Sequence, residues 1–320
     1  MRYIVLALSF CLIDSVLAQA NENQTTEAKV TVLSTNLSDG NTIGEWGFSA
    51  FVEASGHCVL FDTGRFPDTV IKNAESLSVD LACVTDIVIS HNHFDHTSGL
   101  LPLIANLRAS DSNAVQTVHV GRGIFAERRR KDSQEKVTRM IEIKQELEAL
   151  NIEIVVHEKS AEIYPSIWVT GPITRKHPEM NYGRSFAVHL NNTWVNDNIP
   201  ESQGLVIVTP EGPIVILGCG HSGVINMLEQ VQDTIQDQPI HALMGGMHLF
   251  QASEETLDWT ESKLRQIGLQ NLMAGHCTGL EPLYRFRRNL TTLSRKNAVV
   301  GAVGSSFDYG TGIKAGRIAR

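Results

Sequence analysis

The chain has 320 residues, 42% of them hydrophobic and 19% charged, and a net charge of −8. This is an ordinary globular composition, long enough for one large domain or two small ones. The acidic balance argues against a nucleic-acid partner, because polyanion binders present an excess of Lys and Arg.

At the N-terminus, Arg2 precedes an apolar run over residues 3–13, and small residues follow at Ala18 and Ala20. A charged start, a short apolar core and small residues at its end describe a signal peptide, assigned to residues 1–20. The run falls short of the roughly 20 apolar residues that span a bilayer, and no later segment is long enough. The mature chain, 21–320, is therefore expected to be secreted or periplasmic, with no stable membrane insertion.

Residues 28–35 alternate and are rich in Val and Thr, as a strand requires. Residues 47–53 and 57–61 read as a hairpin turning at Ser55-Gly56, and a helix is predicted over 67–77. The apolar strand 86–90 follows, then a helix over 100–108 and a strand over 115–120. Arg128-Arg129-Arg130-Lys131 reads as a solvated helix face, with an anionic substrate group meeting it as the alternative. A charged helix is predicted over 133–150, with a strand at 152–156. Residues 171–198, rich in Pro, Asn and aromatic side chains, read as loop with short strands. A hairpin over 204–209 and 213–217 turns at Glu211-Gly212. Helices over 223–232 and 254–266 then alternate with strands over 240–244 and 269–274. Strand–helix alternation in both halves predicts two sheets with helices packed outside, in one layered domain over 21–320.

The chemistry concentrates in Ser90-His91-Asn92-His93-Phe94-Asp95-His96. In an extended segment, side chains two apart point the same way, so His91 and His93 can grip one metal. Once the chain turns after Phe94, Asp95 and His96 can address a second. Imidazole with carboxylate suits zinc, with iron or manganese as alternatives. Four residues do not complete a two-metal site. The Gly-flanked turns carrying His221, His248 and His276 each follow a predicted strand, where loops commonly hold catalytic groups. Cys219 lies two residues before His221. It reads as a ligand, since thiolate suits zinc, or as a buried neighbour.

These stretches resemble the metallo-β-lactamase fold superfamily, with its His-x-His-x-Asp-His motif. More narrowly they are similar to the branch of the archaeal dihydropterin–ribofuranosylaminobenzene phosphate synthases and related hydrolases. Leu60-Phe61-Asp62-Thr63-Gly64, Thr97-Ser98-Gly99-Leu100, Gly171-Pro172-Ile173-Thr174-Arg175, Gly218-Cys219-Gly220-His221, Gly245-Gly246-Met247-His248 and Gly275-His276-Cys277-Thr278-Gly279 carry the branch resemblance, in order along the chain. The resemblance implies an α/β (α+β) fold, an αββα sandwich with metals at one edge. It implies that His91 and His93 hold the first metal, Asp95 and His96 the second, and that His276 is the last ligand. Asp62 matches a carboxylate that orients the histidine loop rather than touching metal. One departure stands out: residues 197–203, where most members place a third His, contain none. His221 is inferred to replace it, with Cys219 in the bridging or second-metal place.

The expected activity is hydrolysis of an ester, lactone, amide or phosphoester by zinc-activated water, with Asp95 orienting the nucleophile and passing a proton. Transfer chemistry in the manner of the pterin synthases, iron-based redox chemistry and a non-catalytic binding protein on the same scaffold are the rivals. The partner is a small-molecule substrate. Arg175, Lys176 and Arg184 are candidates for an anionic group, and Trp46, Phe48 and Trp194 for a pocket wall or for core. After signal removal four cysteines remain, Cys58, Cys83, Cys219 and Cys277. An exported protein can form disulfides, here in three pairings, but the scattered positions do not look like a disulfide framework, and unpaired buried thiols are at least an equal reading.

Overall fold

The computed structural model describes residues 24–319, so the signal segment expected over 1–20 lies outside the described residues. Two large sheets face each other. The first runs, edge to edge, through Gly312–Lys314, Ser306–Asp308, Ala28–Ser34, Ser49–Ala54, His57–Phe61, Val84–Val88, Thr117–Gly121 and Glu153–His157. The second runs through Ala298–Val300, Asn271–Ala274, Ala242–Gly245, Ile214–Leu217, Gly204–Ile207, Ile167–Val169 and Ala161–Tyr164. Each sheet is antiparallel in one half and parallel in the other, where helices make the crossovers.

Both sheets are covered on both faces, and the strand sequences say why. In Ile214–Leu217, Ile214 and Ile216 pack between the sheets, whereas Val215 and Leu217 pack under helices. A strand buried on both sides reads as a continuous apolar run, not an alternating one. The inner core joins Val30, Val52, Phe61 and Val88 of one sheet to Leu205, Ile216, Met244 and Met273 of the other. Outside the first sheet lie helices Thr69–Leu77, Leu100–Ser110 and Arg139–Ala149; outside the second lie Val224–Thr234, Glu254–Ile267 and Leu280–Asn289. The result is the expected αββα sandwich. Among the described residues no helix is long and apolar enough to cross a membrane.

Two expectations from the sequence need correction. Arg128–Arg130 is a strand, not part of a helix, and Lys136–Val137 pairs with it. Together with Phe186–Leu190 and Thr193–Asn196 they form a third, four-stranded sheet. The predicted helix over 133–150 begins only at Arg139. Its buried stripe is Met140, Ile143 and Leu147, so helical periodicity has nothing to bury before Met140. The chain upstream turns instead at Gln134, which has a positive φ of 57°.

The cysteines divide. Cys219 and Cys277 are buried free thiols, as expected, but Cys58 and Cys83 form a disulfide across a sequence separation of 25. Their strands lie side by side, Cys58 opposite Val84, an adjacency the spacing alone does not reveal. Closing a loop of that length removes unfolded-chain entropy equivalent to about 3 kcal/mol. A Cys58→Ser/Cys83→Ser protein is therefore expected to melt several degrees lower. An unchanged melting temperature under non-reducing conditions would refute the bond's contribution.

Candidate metal centre

The ends of parallel strands in both sheets meet at one edge of the sandwich, and the ligand-type side chains lie on the loops there. Val84–Val88 runs into His91 to His96, Ile214–Leu217 into Cys219 and His221, Ala242–Gly245 into His248, and Asn271–Ala274 into His276 and Cys277. These loops approach one another closely. A Cβ at Gly218 would overlap Ser90 Oγ and Asp62 Oδ2, and one at Gly246 would overlap the Gly218 carbonyl and the Cys277 sulfur.

Asp62 is the anchor. It is fully buried, with a positive φ of 57°. Its Oδ1 accepts from Ser90 N at 2.7 Å, its Oδ2 accepts from Ser90 Oγ at 2.7 Å, and Oδ2 lies 2.7 Å from His96 Nδ1. His96 Nδ1 thus carries the proton, leaving Nε2 for the site, where it lies 3.1 Å from Cys219 Sγ. Ser90 Oγ, 2.8 Å from His91 Nδ1, fixes that ring likewise, and His91 Nε2 is buried without a partner. His221 Nδ1 donates to the Asn181 carbonyl, so its Nε2 faces His93 Nδ1 at 3.2 Å. His276 Nε2 approaches Asp95 Oδ2 at 3.3 Å without hydrogen-bonding geometry, and neither of its ring nitrogens has a partner.

Two ligand-like groups result: Asp95, His96, Cys219 and His276 in one, His91, Cys219 and His221 in the other. Within each, the donor atoms lie within 4.8 Å of one another. Cys219 belongs to both, at the central place expected of a bridging residue. It also groups with His248 and Cys277. Buried ring nitrogens without partners, facing a carboxylate and a thiol, are costly unless something satisfies them. Nitrogen, oxygen and sulfur donors of this kind suit a divalent metal. The residues fit the group that the sequence implies.

The charges follow from burial and neighbours. Burial pulls His93 down to about 4, and it holds His91 and His221 well below the usual imidazole range, helped by the surrounding histidines. For His96 burial works against the charge, but Asp62 and Asp95 outweigh it and lift the ring to about 9. Burial pushes the Asp95 carboxyl up, yet His96 and His276 more than reverse that and hold it well below the ordinary carboxylate range. The unfolded chain's imidazoles take up protons near pH 6.5; folded His91, His93 and His221 resist them. Metal-free protein should therefore lose stability as the pH falls from about 6.5 toward 4. The His96 contribution is complete below about 6.5 and is lost as pH rises through about 9. Urea midpoints of chelator-treated protein at pH 7.5 and pH 5 check this, and a higher midpoint at pH 5 would reverse the sign.

Above the cluster opens a cavity of about 350 Å³, bounded by Trp46, Phe94, Val137 and Phe186 on its apolar side and by Arg128 and Arg139 on its polar side. Trp46 is thus a wall residue, whereas Phe48 is core and Trp194 stacks under Arg129 on the third sheet. Of the loop cations, Arg175 donates to the His221 carbonyl; Lys176 pairs with Asp233, and Arg184 is exposed beside Met180. Ser90 is a buried hydroxyl bonded to Asp62, and Ser222 is buried.

Several contributors were not anticipated. Asn181 sets the His221 tautomer. Arg128, expected on a solvated face, is buried with its Nε on Asp197 at 2.8 Å and its Nη2 on Glu201 at 2.6 Å. Glu201 Oε1 accepts from Asn92 N, inside the histidine segment, at 3.1 Å. Arg139 and Cys277 were also missed. No local pattern marks Asn181, Arg128 or Arg139, because each acts through a partner distant in sequence, whereas Cys277 lies beside His276 in a stretch that carries the family resemblance.

The chain is similar to known proteins. Residues 47–156 match the metallo-beta-lactamase superfamily. The chain is 27% identical over 229 residues to a 7,8-dihydropterin-6-methyl-4-(beta-D-ribofuranosyl)-aminobenzene-5'-phosphate synthase of Methanocaldococcus jannaschii, covering 70% of this chain and 76% of that one. An uncharacterised protein of the same archaeon is 27% identical over 277 residues, 86% of this chain and 98% of its own. A crystal structure described as a metal-dependent hydrolase of the beta-lactamase superfamily superposes with a TM-score of 0.70 at 26% identity, covering 87% of this chain and 98% of that one. The sandwich, the order of its loop residues and these likenesses lead to one conclusion: the chain has the metallo-β-lactamase fold, and its residues 47–156 match that superfamily.

Proposed function

We propose that this chain is an exported zinc-dependent hydrolase, a single domain over 21–320, that cleaves a small acyl or phosphoryl substrate with water. The observation that carries the reading is the convergence of His91, His93, Asp95, His96, Cys219, His221 and His276 beneath one open cavity. Its volume, about 350 Å³, is at the small end for organic ligands and leaves water as the natural second reactant. The disulfide fits an oxidising compartment.

Asp95, His96, Cys219 and His276 would hold one zinc ion, and His91, His93 and His221 with Cys219 a second. Zinc supplies a Lewis acid that polarises an acyl or phosphoryl oxygen and makes water acidic enough to attack near neutral pH. The chain does the rest. Asp62 and Ser90 fix the rings of His96 and His91, so no reorientation is needed during turnover. Asp95, held ionised by His96 and His276, accepts the proton of the attacking water on a carboxylate oxygen and returns it to the leaving group. Trp46, Phe94 and Phe186 seat the apolar part of the substrate and exclude bulk water.

A second reading, condensation with an organic acceptor, is favoured by the likeness to the archaeal synthase. A further cavity of about 600 Å³, bounded by His177, Tyr182, His248 and Trp259, offers room for a second reactant. Turnover of an ester, lactone and phosphoester panel in isotopically labelled water separates the two. Label in the product, with zinc found by elemental analysis, supports hydrolysis; turnover without label overturns it.

A further inference from the structure

The cavity wall contains two guanidinium groups, and they are chemically unlike. Arg128 is fully spent: Asp197 and Glu201 take its Nε and Nη2, and the carbonyls of Gly123, Ile124 and Ala126 surround Nη1. Arg139 has no carboxylate within ion-pair distance among the described residues. It touches only neutral acceptors, Ser98 Oγ from Nη1 at 3.1 Å and the Asn92 carbonyl from Nη2 at 2.7 Å. A guanidinium has five N–H donors, so these two bonds leave three without a protein partner. Both acceptors belong to the histidine segment or its immediate continuation, which pins Arg139 to the ligand loop.

Holding a cation half-buried with no carboxylate in contact, only the more distant charge of Asp95 acting on it, is unfavourable. The helix core does not require it, since Arg139 opens its helix ahead of the buried stripe of Met140, Ile143 and Leu147, and the bonds to Asn92 and Ser98 use only two of its donors. A neighbour at the mouth adds to the positive character. Arg65 stacks on Phe94 at 5.0 Å, whereas Arg130, over Phe186 at 5.6 Å, is paired with Asp132 at 3.0 Å. A protein with a net charge of −8 thus gathers arginines around this opening.

We propose that Arg139 is the recognition residue for a fixed anionic group, carboxylate or phosphate, carried by the substrate on an apolar or aromatic body. The inference rests on the cavity being the substrate site, as proposed above. The planar fork suits oxyanions bidentately, and the two bonds to Asn92 and Ser98 hold it in place before the ligand arrives.

The test measures binding, so it does not require turnover and stands apart from the hydrolysis reading. The metal-loaded full chain is titrated calorimetrically with the dicarboxylates malonate to adipate, their monomethyl esters, and phosphonoacetate and phosphonopropionate. At least one dianion should bind tenfold or more tighter than its singly charged partner, the scale of one or two charged hydrogen bonds. Arg139→Gln, reloaded to the metal content of the parent as verified by elemental analysis, should lose that preference, and Arg139→Lys should restore part of it. Tighter binding by the phosphonates would identify phosphate as the group read, and tighter binding by the dicarboxylates a carboxylate. A preference that survives in Arg139→Gln, or its absence throughout the wild-type series, would overturn the proposal.

Discussion

A His93→Ala protein is expected to fold, to carry less metal than its parent and to lose turnover by about 10³-fold or more, some 4 kcal/mol of transition-state stabilisation. His93 is only half-buried and opens onto the cavity, so truncation leaves no sealed void and costs the fold little. Its loss does leave His221 Nε2, now 3.2 Å from His93 Nδ1, without the group it faces. Elemental analysis, circular dichroism and turnover on whichever substrate the panel yields are the measurements. A folded variant with full metal content and full activity would remove His93 from the centre.

The second large effect concerns a residue that touches no ligand atom. Arg128→Met should destabilise the protein by about 3–5 kcal/mol, the usual consequence of leaving buried charges unpaired. Asp197 and Glu201 would remain buried together, and burial already pushes the Glu201 carboxyl up with Arg128 in place. Because Glu201 also holds Asn92 N, the histidine segment should loosen and metal affinity fall as well. Adding Asp197→Asn and Glu201→Gln to the variant should restore part of the stability. A denaturation midpoint unchanged in Arg128→Met, or no recovery in the triple variant, would show that the ion cluster is not what holds this region.

Most of the architecture is legible in the sequence because local patterns encode it. The apolar runs 57–61, 86–90 and 213–217 have to be buried on two faces, and Gly-flanked histidines at strand ends have to sit at a sheet edge. The spacing of His91, His93, Asp95 and His96 was enough to find the cluster. Asp62 emerged through family resemblance, and the structure gives its physical reason in three short hydrogen bonds. His248 was left open, and it now stands with its ring 4.5 Å from that of His221 and its Nδ1 buried without a partner. What stayed hidden depends on pairings across the chain. Arg128 meets its carboxylates 69 and 73 positions away. Asn181 meets His221 at a separation of 40, and Cys58 lies beside Cys83 only because their strands are neighbours. The Arg128–Lys131 run looked like solvated helix because its composition is charged; tertiary pairing made it a strand.

The glycine contacts beneath the cluster set where this protein is open to redesign. With no space for a methyl group at Gly218 or Gly246, the floor of the site admits almost no sequence variation. The rim is different: Val137 and Phe186 bound the cavity from outside the histidine loops, whereas Phe94 belongs to the histidine segment and Trp46 packs 5.2 Å from the His276 ring. Libraries aimed at new specificity should leave the floor untouched and diversify Val137 and Phe186, where exchanges alter shape and polarity above an unaltered reaction centre.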